Sequence, residues 1–237
     1  MNDREQRTLA QLHSRFPGQR ISADGLKLIH RGRFANAHVY RYRKGALDLI
    51  VKDFSHCPWW IRLSAAPYFV HRELRTLDRL RGLPGIASRR FQLSAIALAY
   101  PFMPGQPLSA VRRAAGTLPA SFFRSLETLV LKMHERGIVH LDMRNLSNVL
   151  VGTDGRPYLI DFQSAIDLHG LPNLLSTVLE SVDLSGVYKG WLRVGAEPLD
   201  QARLEFLDRF NELRRVWVFR GYPLTRLFER IREALGL

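Results

Sequence analysis

A polar region in the second half of the sequence is the part most able to do chemistry. Two short apolar segments there flank the stretch 152–157, whose Asp-Gly pair is typical of a β-hairpin turn. If Val151 faces Tyr158, then Asn148 faces Asp161 at the open end of the hairpin. Mg²⁺ takes oxygen ligands and commonly uses one or two protein groups together with substrate phosphates, so this pair predicts a metal site. The alternative is a turn-capping asparagine and a strand-end aspartate.

A second carboxylate and a cation stand shortly before this hairpin. The segment that begins at His140 reads HLDMRNLSN, and Asp-Phe-Gln follows at positions 161–163. These two motifs resemble the HRDxxxxN and DFG motifs of protein-kinase-like phosphotransferases. The sequence departs from the family pattern in three ways: the asparagine falls one position later, Leu141 replaces the arginine, and Gln163 replaces the glycine.

The resemblance leaves three positions for the metal-ligating side chain. Ser147 stands where the family motif has its asparagine, and Asn148 follows it directly. The hairpin register favours Asn148, with one residue inserted in the loop. Asn145 is the alternative.

The resemblance also implies what the other residues do. Asp142 would orient the acceptor hydroxyl and accept its proton, and Arg144 would neutralise the γ-phosphate. Asp161 would hold Mg²⁺ together with the asparagine. Asp183 begins a segment, Asp-Leu-Ser-Gly-Val, that looks like the helix whose aspartate braces the catalytic loop in this family.

Such enzymes also need a strand lysine and a helix glutamate to hold the α- and β-phosphates of ATP. Lys52 lies in the middle of Ile-Val-Lys-Asp-Phe, which is similar to the family's VAIK motif. Glu73 precedes Leu77 and Leu80 on or beside an inward-facing helix stripe, where an unpaired carboxylate is costly. We therefore predict that Lys52 and Glu73 form an ion pair. The alternative is a lysine and a glutamate that both reach solvent.

The remainder of the implied ATP site matches the family less well. The stretch from Gly32 to Val39 keeps only the first glycine and the valine of the GxGxxGxV pattern. Fewer glycines restrict the approach of the backbone to the phosphates. Either Arg33 or Asn36 contacts the phosphates instead, or the loop is only a turn. Residues from Tyr100 to Met103 would line the adenine slot.

The elements that must position these residues can be read from the apolar pattern. Three β-rich runs within residues 26–54 are typical of an antiparallel meander. Helical spacing predicts a helix over 69–80, and the apolar run 91–102 predicts one strand that ends at a hinge near residue 105. Beyond the hinge the pattern is mainly helical, with a helix over 119–133.

We therefore expect an α+β, two-lobed protein-kinase-like fold. Residues 1–105 would form the nucleotide-binding lobe, an antiparallel β lobe with one helix. Residues 106–237 would form a reduced, mainly helical catalytic lobe. The apolar stripe of its last predicted helix contains Leu204, Leu207, Phe210 and Leu213.

Composition narrows the class of protein and its surroundings. The chain has 237 residues, of which 46% are hydrophobic and 24% charged, and this excludes a disordered, collagen-like or disulfide-stapled protein. Cys57 is the single cysteine, so no internal disulfide can form. The sequence shows neither a signal peptide nor a membrane span, and cytoplasm is the expected compartment.

The chain is strongly basic, with a formal net charge of +13, which favours an anionic partner. Basic stretches lie at 31–44 and 214–232. Trp59, Trp60 and the adjoining Arg62 would suit peripheral contact with an anionic membrane face, such as that of the inner membrane. The alternative for these tryptophans is a buried aromatic cluster. Nucleic acid is a poorer fit, because no aromatic-basic recognition motif is present.

Few residues follow Asp161, and no Ala-Pro-Glu segment occurs among them. This reduced plan resembles the bacterial lipopolysaccharide-core kinases and the RIO-type atypical serine/threonine kinases. The expected activity is ATP- and Mg²⁺-dependent transfer of the γ-phosphate to a hydroxyl of a lipopolysaccharide core sugar or glycolipid. A RIO-like protein kinase is one alternative, and a pseudokinase that acts as a binding module is another.

Overall fold

The computed structural model describes residues 3–216 and the side chains of residues 3–212. The side chains of Leu213 and of the basic stretch 214–232 lie outside the described residues. The described part is an α+β fold whose main sheet is antiparallel and has five strands. This confirms the predicted structural class.

The five strands of the main sheet are β1 (Leu26–His30), β2 (His38–Lys44), β3 (Leu47–Asp53), β4 (Phe91–Ser94) and β5 (Ala97–Pro101). Their order across the sheet is β1-β2-β3-β5-β4. The first three form the predicted antiparallel meander. Residues 91–102, predicted as one strand, form two strands that pair with each other. Hydropathy does not mark this reversal, because Ala95 and Ile96 of the turn are themselves apolar.

The described residues contain seven α-helices: α1 (Asp3–Arg15), α2 (Trp59–Leu63), α3 (Ala65–Arg79), α4 (Leu108–Arg113), α5 (Ala120–Glu135), α6 (Asn173–Val194) and α7 (Gln201–Val216). Three of them precede β4, so the prediction of one helix in this half is wrong. The predicted helix 69–80 corresponds to α3. Helix α1 escaped prediction because it is mostly polar, and only Leu9 and Leu12 face the sheet from it as large apolar residues.

Five short strands lie in the second half: β6 (Gly105–Pro107), β7 (Ile138–Val139), β8 (Val149–Gly152), β9 (Pro157–Leu159) and β10 (Ile166–Asp167). The predicted hairpin is present as β8 and β9, but its predicted register is wrong by one residue. Val151 pairs with Pro157, so Asn148 lies opposite Ile160 and not opposite Asp161. The turn is shorter than expected because Gly155 closes it with a φ of 75°, a left-handed conformation that glycine adopts without strain.

The larger hydrophobic cluster draws on both halves of the chain. It contains Leu74 and Leu98 from the first half, and Phe123 and Leu159 from the second. A smaller cluster lies between α1 and the sheet. The division into two lobes near residue 105 stays a prediction. Within residues 3–216, none of the helices combines the length and the apolar character needed to cross a bilayer.

Candidate functional site

Lys52 lies at the centre of the candidate site, on β3 between β2 and β5. Its Nζ contacts Glu73 Oε1 at 2.8 Å and Oε2 at 3.0 Å, which is the ion pair that the sequence predicts. The same Nζ contacts Asp161 Oδ1 at 2.6 Å. The Lys52 and Glu73 side chains are only 5% and 1% exposed, whereas Asp161 is 41% exposed. We call these three residues the lysine trio.

Burial and charge act in opposite directions on the pKa values of the lysine trio. Burial disfavours the charged form of Lys52, but the charges of Asp161 and Glu73 outweigh it and raise the pKa of the amine. Burial also raises the pKa of Glu73, and Lys52 offsets only part of that effect. Burial opposes ionisation of Asp161 as well, yet the charge and hydrogen bond of Lys52 prevail and lower its pKa. Lys52 is therefore positively charged, and Asp161 negatively charged, at neutral pH.

Backbone conformation brings Asp161 to Lys52. Asp161 follows β9 and adopts a left-handed conformation with a φ of 66° and a ψ of 70°, at the start of a short 3₁₀ turn. Such a conformation is uncommon outside glycine, and it costs free energy that the surrounding contacts must offset. One of these contacts comes from α3, where Arg72 donates a hydrogen bond to the carbonyl of Gln163. Helix α3 therefore holds both Glu73 and the turn that follows Asp161.

Asp142 lies in a second cluster of polar side chains. Its Oδ2 accepts a hydrogen bond from Asn148 Nδ2 at 2.8 Å and a longer one from Asn145 Nδ2 at 3.4 Å. Asn148 as a whole is almost fully buried, at 3% exposure. Ser147 takes a different direction, with its hydroxyl 2.9 Å from that of Ser109. The structure thus brings both asparagines, but not Ser147, to Asp142.

The loop that carries Asp142 is fixed by a buried carboxylate on α6. Asp183 Oδ2 and Oδ1 accept hydrogen bonds from the backbone N–H groups of His140 and Leu141, both at 2.7 Å. Asp183 is fully buried, and His134 Nε2 lies 3.2 Å from its Oδ2. Leu141 has a φ of 62°, so these hydrogen bonds hold a strained backbone in place. This is the bracing contact that the sequence resemblance implies for Asp183.

His140 packs within this arrangement. Its ring is fully buried, with Nε2 3.0 Å from the carbonyl oxygen of Ile160. The ring also lies against Phe162, with the two ring centroids 4.9 Å apart. His140 therefore links the Asp142 loop to the segment that carries Asp161.

Arg144 contacts residues of α6 and α7. Its Nη2 donates to Ser185 Oγ at 3.3 Å, and its guanidinium lies 5.9 Å from the ring centroid of Phe210. Arg144 also lines a cavity together with Arg112, Arg113 and Arg193. No motif in the sequence marks Arg112, Arg113 or Arg193, because they lie in segments separate from that of Arg144.

The predicted nucleotide-binding residues lie on β2, β3 and β5 or in the segments next to them. Val39 pairs with Lys52, and the buried Tyr100 pairs with Ile50. Met103 is partly buried and packs against the larger hydrophobic cluster. Gly32 begins a tight loop in which an added Cβ would lie 2.1 Å from a backbone oxygen, so this position requires glycine. Within the loop, the N–H of Asn36 donates to the carbonyl of Arg33 at 3.0 Å, which forms a turn.

Asn148 and Asp161, the predicted metal ligands, both carry side-chain oxygen atoms. The backbones of the two segments meet where the N–H of Ile160 donates to the Asn148 carbonyl at 3.0 Å. Carboxylate and amide oxygens are the ligand types that Mg²⁺ accepts, with water and phosphate oxygens completing its shell. The described residues contain no cluster of three or more His, Cys, Asp or Glu side chains that could hold a metal without such help.

No protein-family model and no curated protein sequence matches this chain.

Proposed function

We propose that this protein is an ATP- and Mg²⁺-dependent phosphotransferase with a protein-kinase-like fold. The acceptor that we propose is a hydroxyl of a lipopolysaccharide core sugar or a similar glycan. The observation that carries this proposal is the lysine trio, in which a buried amine contacts a helix carboxylate and a second carboxylate from a distant segment. A buried ion pair is not an efficient way to stabilise a fold, so such a cluster favours a functional explanation.

Each residue has a task in such a transfer. Lys52, fixed by Glu73, would bind the α- and β-phosphates of ATP. Asp161 and Asn148 would hold Mg²⁺, which neutralises charge on the phosphates when it is bound. Asp142 would orient the acceptor hydroxyl and accept its proton. In that step the hydroxyl oxygen bonds to the γ-phosphorus, and the bond from that phosphorus to the bridging oxygen of ADP breaks.

An exposed apolar surface supports a glycolipid as the source of the acceptor. This surface consists of Phe34, Trp59, Trp60, Leu63 and Tyr68, whose side chains are between 39% and 77% exposed. The alternative interpretation of the sequence, in which the two tryptophans belong to a buried aromatic cluster, is thus wrong. The neighbouring Ile61 is nevertheless buried. Tryptophan, tyrosine and leucine beside basic residues are typical of proteins that lie on an anionic membrane.

Transfer of labelled phosphate from ATP tests the proposal directly. The wild-type protein and Asp142→Ala are incubated with labelled ATP and Mg²⁺, and with deacylated lipopolysaccharide core or a generic protein as acceptor. We expect transfer to the glycan that falls at least about a hundredfold in Asp142→Ala, because a positioned general base contributes about 10²–10⁴-fold. Asp208→Ala, an exposed aspartate on α7, is the matched control and should transfer at the wild-type rate.

Two other results would contradict parts of the proposal. Transfer to protein alone would favour the RIO-like protein kinase and exclude the sugar acceptor. ATP binding without transfer to any acceptor, equally in wild type and Asp142→Ala, would favour a pseudokinase.

A further inference from the structure

A cavity of about 460 Å³ lies beside the loop that carries Asp142. Its wall is formed by the end of α4, by the Asp142 loop and by α6. The lining residues are Ser109, Arg112, Arg113, Arg144, Asn145, Leu146 and Arg193. Four of these seven are arginines, and no acidic side chain of the described residues lines the cavity. We call it the arginine cavity.

The described residues do not neutralise the arginines of this cavity. None of the four forms an ion pair with a carboxylate of residues 3–212. The Nε of Arg144 is buried and has no hydrogen-bond partner in the described structure. A buried donor without a partner is costly, and an anion that accepts its hydrogen bond would remove that cost.

A neighbouring lysine shows that positive charge is crowded here. Lys189 lies on α6 one turn before Arg193, and its Nζ contacts Asn211 Oδ1 at 2.9 Å. Burial lowers the pKa of Lys189, and the charge of Arg193 lowers it further. Positive charge thus extends from the cavity along α6, and the described lining residues supply no counter-ion.

The arginine cavity adjoins the proposed proton acceptor. Asn145 lines the cavity and also donates a hydrogen bond to Asp142 Oδ2 at 3.4 Å. The same loop is fixed to α4, because the N–H of Ser109 donates to the carbonyl of Leu146 at 3.1 Å. The Asn145 side chain therefore connects the cavity with Asp142.

We propose that the arginine cavity binds an anionic group of the acceptor sugar, a phosphate or a carboxylate, and so presents a neighbouring hydroxyl to Asp142. This inference rests on the proposed phosphotransferase function and specifies its acceptor as an already anionic glycan. Arginine suits this task because its planar guanidinium binds phosphate and carboxylate through paired hydrogen bonds. A cavity of this volume also falls in the range of sites that accept small ligands.

Binding without nucleotide tests the cavity independently of catalysis. Deacylated lipopolysaccharide core, either phosphorylated or chemically dephosphorylated, is titrated into the protein at low ionic strength and followed by calorimetry. We expect the double variant Arg112→Gln/Arg193→Gln to bind the phosphorylated core at least about tenfold more weakly than wild type. The control is Arg75→Gln/Arg124→Gln, which removes the same charge from exposed positions on α3 and α5 and should bind as wild type.

The dephosphorylated core identifies the anionic group. If the group is a phosphate, removal of the core phosphates weakens wild-type binding as much as the double variant does. If it is a carboxylate, the dephosphorylated core still binds and remains sensitive to the double variant. Equal binding by the cavity variant and the control variant would overturn the proposal, as would tighter binding of a phosphoserine peptide than of either core.

Transfer kinetics separate failure of this inference from failure of the proposed function. With the phosphorylated core as acceptor, the cavity variant should raise the KM for the core and leave the KM for ATP unchanged. Transfer that is equally efficient in the cavity variant overturns the inference while the phosphotransferase function stands. Binding that depends on the arginines, without transfer by any form of the protein, supports the anion site and contradicts the phosphotransferase.

Discussion

The single positive charge of Lys52 lies beside two carboxylates. Glu73 and Asp161 both lie within 3.0 Å of its Nζ, so the ionised trio carries an excess of one negative charge. This excess acts on Glu73, whose pKa is raised by burial first and by Asp161 as well. A divalent cation at Asp161 would relieve the repulsion between the two carboxylates.

Asp161 should make the stability of the protein depend on pH in acid. Its pKa is lowered in the folded state, so the ionised carboxylate stabilises the fold above its ordinary pKa of 3.8. That stabilisation disappears as the pH falls below 3.8 through the lowered pKa. In urea unfolding, the difference in unfolding free energy between wild type and Asp161→Asn should be constant near neutral pH and shrink below about pH 4.

The matched control for this measurement is Asp208→Asn, an exposed aspartate that forms no ion pair with the described residues. Its unfolding free energy should follow that of wild type throughout. A difference between wild type and Asp161→Asn that stayed the same from pH 7 to pH 3 would contradict the stabilising contact with Lys52.

The sequence predicts some of these residue contacts and not others. Glu73 and Lys52 could be paired because a carboxylate on an inward-facing helix stripe requires a cation nearby. The hairpin register could not place Asp161, because its position depends on a left-handed backbone that no local pattern marks. Arg144 illustrates the limit of motif matching, since its contacts with Ser185 and Phe210 involve helices far along the chain.

Helix α6 approaches the Asp142 loop so closely that one of its positions must be glycine. An added Cβ on Gly186 would lie 2.6 Å from Met143 Cβ and 2.8 Å from the Met143 carbonyl carbon. This close approach brings the carboxylate of Asp183, on the same helix, within hydrogen-bonding distance of the loop N–H groups. Packing of α6 and the position of Asp142 are therefore coupled.

Gly186→Ala should destabilise the protein by about 1–3 kcal/mol, because the added methyl group must displace the loop backbone or the helix. The change in unfolding free energy can be measured by urea denaturation. Gly190→Ala is the control on the same helix, where the nearest atoms to an added Cβ are side-chain carbons at 3.4 and 3.7 Å. This control should be neutral or stabilising, since alanine favours a helix over glycine by about 1 kcal/mol. An equal loss of unfolding free energy in the two variants would show that the Asp142 loop does not restrict the residue at position 186 of α6.

The secondary structure was predictable where apolar spacing is regular. The three-strand meander and helices α3 and α5 have such spacing, and all are present. The reversal between β4 and β5 was not predictable, because its turn is apolar. Helix α1 was not predictable either, because its few apolar side chains indicate a helix only when the sheet that buries them is known.

At the level of the entire protein, we expect the exposed apolar surface and the net charge of +13 to favour the same kind of partner, an anionic lipid surface. Phe34 lies in the loop that begins at Gly32, and its ring contacts that of Trp60 with a centroid distance of 5.6 Å. The surface is thus continuous from this loop to α2. Basic proteins with such a surface gain affinity for anionic lipid from both charge and apolar burial.

We expect the protein to co-sediment with phosphatidylglycerol vesicles more than with phosphatidylcholine vesicles, and less so as salt is added. The variant Trp59→Ser/Leu63→Ser should bind the anionic vesicles at least about tenfold more weakly, because two large side chains would no longer enter the interface. Leu174→Ser/Leu192→Ser alters two exposed leucines of α6 and should bind as wild type. Equal binding by the two double variants would contradict a membrane-facing surface.

The positions of the lysine trio along the chain determine the order in which its contacts can form during synthesis. Glu73 follows Lys52 by 21 positions, whereas Asp161 follows it by 109. Contacts between distant residues form late, because closing a long loop costs more entropy than closing a short one. A nascent chain can join Lys52 to Glu73 once the first sheet and α3 have emerged from the ribosome. Asp161 can join them only after translation has passed the β8–β9 hairpin. Truncated chains that end before this point therefore cannot complete the lysine trio.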